Sequence, residues 1–275
     1  MRGLAEFVMK GRKQAIIAVL LLGLIPLFNF LSPVIIGLVT LRKGVKEASL
    51  VLIWAILPVT AWAVAGDPYP LIMLLGIGGL SWLLRETESW EFTLLAAIAV
   101  GVCVEIYLRL QPAVLDLLMD QMEVYLTTNN VQGMQLEDLR ETFTSFIAAV
   151  YMFLAIVLLM LARWLQAALY NPGGFQKEFH QLRIEQKIAL LLVGLMVLAN
   201  LGVLIPQTWM LYLVIPLLIS GVALIHGVVA LKKLSSRWLV AFYVFIMLPS
   251  VVYMVVLAAL LDSWYDFRAR LQNTV

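Results

Sequence analysis

Charge is scarce in this chain: Asp, Glu, Lys and Arg make up 13% of its 275 residues, about half the share of a water-soluble domain. So little polar surface cannot cover a body in water, and lipid must be the solvent around most of the chain. There is one cysteine, Cys103, which rules out an internal disulfide and any cysteine-based zinc set. It lies in an apolar run and reads as a small core residue. There are two histidines and no His-Glu-x-x-His, no acid cluster of metal-ligand spacing and no phosphate-cradling loop ending in Gly-Lys-Ser/Thr. No metal and no cofactor is expected. A net charge of +2 gives no reason to propose nucleic acid as a partner.

Two further patterns invite chemistry and have plainer explanations. Gly76-Ile77-Gly78-Gly79 sits inside an apolar run, where close helix packing explains it better than a nucleotide. Ser220 and His226 suggest an intramembrane serine protease. Six helical residues turn by about 600° and rise ~9 Å, however, so the hydroxyl and the imidazole point apart. The chain is expected not to be an enzyme.

What the sequence does contain is apolar length. Hydrophobic residues make up 63% of it and mean hydropathy is +0.97. Charges separate apolar segments at 15–41, 48–66, 70–84, 92–108, 143–165, 188–205, 209–231 and 238–261, most of them near the ~20 residues that cross ~30 Å of hydrocarbon. The predicted fold is all-α, a polytopic transmembrane bundle forming one domain over 1–275. Within 15–41, the run Ile25-Pro26-Leu27-Phe28-Asn29-Phe30-Leu31-Ser32-Pro33 is a poor helix interior and a good turn. Charge placement favours a hairpin there. With both of its ends in the cytoplasm, 15 of the 19 Lys and Arg fall inside and 4 outside. Read as one span, the split is 11 to 8, against the positive-inside rule. The expectation is seven full spans plus a proline-broken N-terminal hairpin, with the amino end cytoplasmic and the carboxyl end outside. The hairpin could be re-entrant or two short spans. Arg2, Lys10, Arg12 and Lys13 lead into apolar sequence with no small-residue cleavage pattern, which reads as a retained membrane segment.

Tryptophans fit that topology, with Trp82, Trp90, Trp164 and Trp238 at inner ends and Trp62, Trp209 and Trp264 at outer ends; Trp54 is the exception. Outside the bilayer, the insertion 109–142 begins with an amphipathic helix over 112–127. Leu115, Leu118, Met119, Met122 and Leu126 mark its apolar face, and Asp116, Asp120 and Glu123 its polar one. Inside, the loop 171–187 opens on the turn Asn171-Pro172-Gly173-Gly174 and then places Phe175, Phe179 and Leu182 on one face.

Ionisable groups at membrane depth are the default functional candidates. Glu105 and Arg109 are four residues apart near an outer end. They form either an interfacial ion pair or the rim of a solute cavity. His226 either hydrogen-bonds a neighbouring helix or gates a pathway. Asn200 and Arg163 read as an interhelical hydrogen bond and a snorkelling side chain.

The N-terminal apolar hairpin closes in Leu41-Arg42-Lys43-Gly44. Later, Ala162-Arg163-Trp164-Leu165 is followed by Tyr170-Asn171-Pro172-Gly173-Gly174-Phe175. In these features the chain resembles the YybS-like family of multi-pass bacterial membrane proteins, and the similarity in layout covers most of its length. That family is distantly similar to the substrate-binding subunits of energy-coupling-factor vitamin transporters. The resemblance implies a bacterial inner-membrane protein that binds a small solute and has no ATPase of its own. Its energy would come from a membrane-protein partner. On this reading Glu105, Arg109, Asn200 and His226 contact the solute, and Arg42, Gly44, Asn171, Gly173 and Gly174 lie at the partner interface. The competing expectation is a non-catalytic scaffold of the cell envelope whose surface helices at 112–127 and 171–185 dock other proteins. An intramembrane enzyme acting on lipid-linked substrates is a third reading, resting on Glu105 and His226 alone.

Overall fold

The computed structural model describes residues 1–111, 113–128 and 136–272, and among these the chain is all-helical, with no strand. In order run α1 (Arg2–Met9), α2 (Arg12–Leu24), α3 (Leu31–Lys43), α4 (Val45–Val64), α5 (Tyr69–Thr87), α6 (Trp90–Leu110), α7 (Ala113–Thr128), α8 (Leu136–Tyr170), α9 (Gly174–Gln181), α10 (Gln186–Asn200), α11 (Met210–Leu231), α12 (Arg237–Phe245), α13 (Pro249–Tyr265) and α14 (Phe267–Gln272). Four of them, α4, α6, α8 and α11, are long and apolar enough to cross a membrane, and the bent pair α12–α13 could add a fifth. The helical membrane class therefore holds, and a count of seven full spans does not emerge. Segment 188–205 becomes a helix of 15 residues, α10, only ~22 Å long.

The hairpin expected over 15–41 is present. Ile25 precedes Pro26 and is pushed to an extended backbone, ψ 120°, because the proline ring disfavours the helical region before it. Pro33 follows in the first turn of α3, where a missing N–H costs nothing. The second leg then becomes the middle of the bundle. Every residue from Leu31 to Leu41 is buried, with α2, α4, α5 and α8 packed around it. Gly37 permits this: a Cβ there would lie 2.9 Å from the Ser81 hydroxyl and 3.0 Å from Ala162.

The C-terminal segment departs from expectation. Instead of one span over 238–261, α12 and α13 meet at 115°. α12 ends at Phe245, and Leu248, ahead of Pro249, takes an extended backbone at φ −86° and ψ 127°, from which α13 starts in a new direction. The segment also starts and finishes at the same end of the bundle. It leaves from the end of α11, and its far end returns to the 171–187 loop. There Arg268 donates hydrogen bonds to the carbonyls of His180 and Leu182, at 2.7 and 2.8 Å, and Arg183 pairs with Asp266. The carboxyl end therefore shares a side with the loop, contrary to the expected placement of the two on opposite sides, and Trp264 goes with it. Charge patterns alone could not reveal this, because a broken helix entering and leaving at one face has the same composition as a span.

Close approach of α11 and α13 depends on Gly221, whose added Cβ would come within 2.5 Å of both the Val255 side chain and the Val255 carbonyl oxygen. A backbone atom cannot step aside, so Gly221→Ala should cost about 1–3 kcal/mol through overpacking. Gly79 has nothing within 4 Å of that position, so Gly79→Ala should be neutral or stabilising by up to about 1 kcal/mol through helix propensity. Thermal melting of the two variants in detergent checks the pair, and equal shifts would contradict the packing.

Candidate functional site

Glu105 sits in the last two turns of α6, where the sequence turns from apolar to charged. Its side chain is 2% exposed and accepts four hydrogen bonds. Arg109, one turn on, donates to Oε1 through Nε at 3.0 Å and through Nη2 at 2.8 Å. Tyr212 of α11 donates its hydroxyl to Oε2 at 2.5 Å, and Ser145 of α8 adds a hydrogen bond at 3.2 Å. The Trp209 indole lies beside Tyr212, with ring centroids 5.7 Å apart, and its buried N–H has no hydrogen-bond partner among the described residues. One carboxylate thus ties three helices together at one end of the bundle. Helical spacing dictates its bond to Arg109. The bonds to Tyr212 and Ser145 depend on which helices become neighbours.

An ion pair is therefore present, and each carboxylate oxygen is already committed to protein donors. Arg109 is half exposed and also stands 3.9 Å from Glu141. The other proposed solute contacts do not converge on it. Asn200 ends α10 and is exposed. His226 belongs to the opposite end of α11, where its Nε2 is 2.8 Å from the Tyr243 hydroxyl and its ring lies 5.4 Å from that of Phe179. The two histidines come within 6.3 Å of each other, measured between ring centroids, which their separation in sequence gave no reason to expect. Among the described residues no group of three or more His, Cys, Asp or Glu could hold a metal.

The residues assigned to a partner interface are also spread out. Arg42 stacks over Tyr170, its guanidinium carbon 3.9 Å from the ring centroid. Gly44, at φ +86°, turns the chain from α3 into α4. Gly173, at φ +83°, makes the turn into α9, where an added Cβ on Gly174 would collide with the Asn171 side chain. The Asn171 turn thus needs Gly173 for its backbone, and Gly174 leaves room for the Asn171 side chain. In α7 the apolar face turns inward, with Leu115 and Met119 buried and Asp116 paired with Arg140 of α8. Pro112 and the side chains of Leu118 and Leu126 lie outside the described residues. Arg163 pairs with Glu178 of α9 instead of reaching out alone.

No protein-family model, no curated protein and no solved structure matches the chain. The likeness to the YybS-like family rests on its short motifs alone.

Two features were missed in the sequence. One is a groove of about 450 Å³ on the outer face of α5 and α6, lined by Ile72, Gly76, Gly79, Ala96, Ala99 and Cys103 among others. Cys103 is exposed there, contrary to its reading as a core residue. Gly76 does pack closely, with Val100 at 2.9 Å from an added Cβ, but Gly79 opens onto the groove. The other is a buried pair, Asp262 with Arg268, at 2.8 Å and with side chains 1% and 8% exposed. An acid at the edge of an apolar run was the available signal, and its partner lay beyond the run.

Proposed function

We propose that the chain is a non-catalytic, multi-pass membrane protein that works by lateral association, receiving an apolar transmembrane helix of a partner protein in the groove between α5 and α6. The groove carries this reading. Its lining from Ile72 to Leu83 extends over twelve residues of α5, about 16 Å of helix. Its floor of glycine and alanine lets a second backbone approach closely, which is how helices associate in lipid. The polar groups at membrane depth support it from the other side. Glu105, His226 and Asp262 each bond to the protein itself, as groups that hold helices together do. A solute-binding transport subunit remains the expectation of the family resemblance. Glu105 and Arg109, its best candidates, hold each other.

In orientation, the loop 171–187, the carboxyl end and the basic amino end face the cytoplasm of a bacterial inner membrane. With the C-terminal segment entering and leaving on that side, Arg109 and Arg140 are the only Lys or Arg among the 19 placed outside, a stronger bias than the first reading.

Cys103, the only cysteine, is a native probe of the groove. A maleimide carrying a benzophenone, attached to Cys103 in native membranes and irradiated, should insert into a C–H bond of a second polypeptide, and Ala99→Phe should abolish the product while leaving thermal melting unchanged. Reaction of Cys103 at the same rate in membranes and in detergent, with no cross-linked band, would sink the proposal. Labelling cysteines placed at Lys177 and Arg270 should report the same side of the membrane. Opposite sides would overturn the topology.

A further inference from the structure

At the end of the bundle that holds α9, a cleft of about 490 Å³ opens among α3, α5, α6, α8 and α9. Leu41, Leu84 and Trp90 line its apolar part, and Arg85, Glu88, Arg163 and Glu178 bring its charges. Arg163 and Glu178 pair with each other. Arg85 and Glu88 do not, and neither has an ion-pair partner among the described residues. Opposite charges three residues apart on a helix ordinarily meet. Here Arg85 is held away, because its Nη1 donates to the carbonyls of Thr40 and Leu41 at 3.3 and 2.6 Å, capping the C-terminal end of α3. Gly44 lies beside the guanidinium, where an added Cβ would come into contact at 3.7 Å from Cζ, Nε and Nη2, and Arg85 is exposed. Glu88 follows the last turn of α5 in the left-handed conformation, at φ +51°, which carries its carboxylate off the helix face. The result is one cation and one anion without ion-pair partners among the described residues, at the mouth of a partly apolar cleft at the end of the bundle that holds α9.

We propose that this cleft holds the headgroup of a zwitterionic phospholipid bearing a primary amine. Its phosphate lies on the Nε and Nη2 donors of Arg85 and its ammonium on Glu88, with the glycerol region against Leu84 and Trp90. A guanidinium with two free donors matches a phosphate oxygen pair, and a carboxylate favours an ammonium with N–H donors over a quaternary amine that has none. A free phosphate would satisfy Arg85 alone and leave Glu88 repelling it, so the lipid is the better fit.

Native mass spectrometry of the full chain, delipidated in detergent and then mixed with dioleoyl phosphatidylethanolamine, phosphatidylglycerol or phosphatidylcholine, tests the assignment. Phosphatidylethanolamine should bind in a 1:1 complex about tenfold more tightly than phosphatidylcholine, the worth of one charge-assisted hydrogen bond. Arg85→Ala should weaken both by about tenfold, with Arg85→Lys recovering part. Glu88→Gln should erase the preference for the amine without weakening phosphatidylglycerol, and inorganic phosphate should not compete. Melting temperatures of the variants read folding separately. Equal binding of all three lipids, or binding unchanged in Arg85→Ala, would overturn the proposal. Displacement of the lipid by inorganic phosphate would reassign the cleft to a free anion.

Discussion

Glu105→Ala is expected to destabilise the protein by about 3 kcal/mol, the lower end of what breaking a buried ion pair costs. The lower end applies because Arg109 is half exposed and has Glu141 within 3.9 Å, so it can turn to water. The loss falls on Tyr212, which is fully buried and would keep a hydroxyl with no acceptor, and on Ser145 beside it. Tyr212→Phe removes one strong bond to the carboxylate and should cost about 1.5–3 kcal/mol. Combining it with Glu105→Ala should give less than the sum of the two, since both remove the same bond. Fractional unfolding in mixed micelles measures all of these. A binding residue would behave differently. If Glu105 served a solute, Glu105→Gln would melt like the parent and lose only ligand, and that outcome would restore the solute-binding reading.

The cluster also marks where sequence reasoning stops. The bond from Arg109 was legible because four residues on a helix fix the distance. Tyr212 lies 107 residues from Glu105, and nothing in either segment says that α6 and α11 are neighbours. Prolines teach the same lesson. Pro26, with Asn29 and Pro33 close by, predicts a break that is present. Pro58 and Pro216 sit inside α4 and α11 without ending them, Pro58 filling the space left by Gly23 of α2, where an added Cβ would come within 2.6 Å. Pro249 breaks its segment. One residue type therefore has two outcomes, decided by whether a neighbouring helix absorbs the distortion or a favourable docking rewards the turn. Charge bookkeeping assumes that loops alternate, and it failed where the chain comes back to the side it left.

That return has its own test in Asp262 and Arg268. Arg268 reaches from α14 to three acceptors, the carboxylate of Asp262 at 2.8 Å and the carbonyls of His180 and Leu182. Asp262 in turn accepts the backbone N–H of Phe267 at 2.8 Å, which fixes the turn between α13 and α14. Gly227 completes the joint: a Cβ there would stand 2.8 Å from the His180 carbonyl, so α11 can lie directly under the loop. Asp262→Ala should therefore cost about 3–5 kcal/mol, since it leaves a guanidinium buried without its counter-charge. Arg268→Met alone leaves the carboxylate buried with one backbone donor and should cost a similar amount. The double variant should be less damaged than either single predicts, because no unpaired charge remains in the joint. The local readout is proteolysis at Lys177 and Arg183, which lie in the loop that Arg268 pins. Cleavage there should rise with Asp262→Ala while α6 and α8 stay protected. Were the C-terminal segment a crossing span, the loop and Arg268 would be on opposite faces. The substitution would then leave cleavage at Lys177 unchanged.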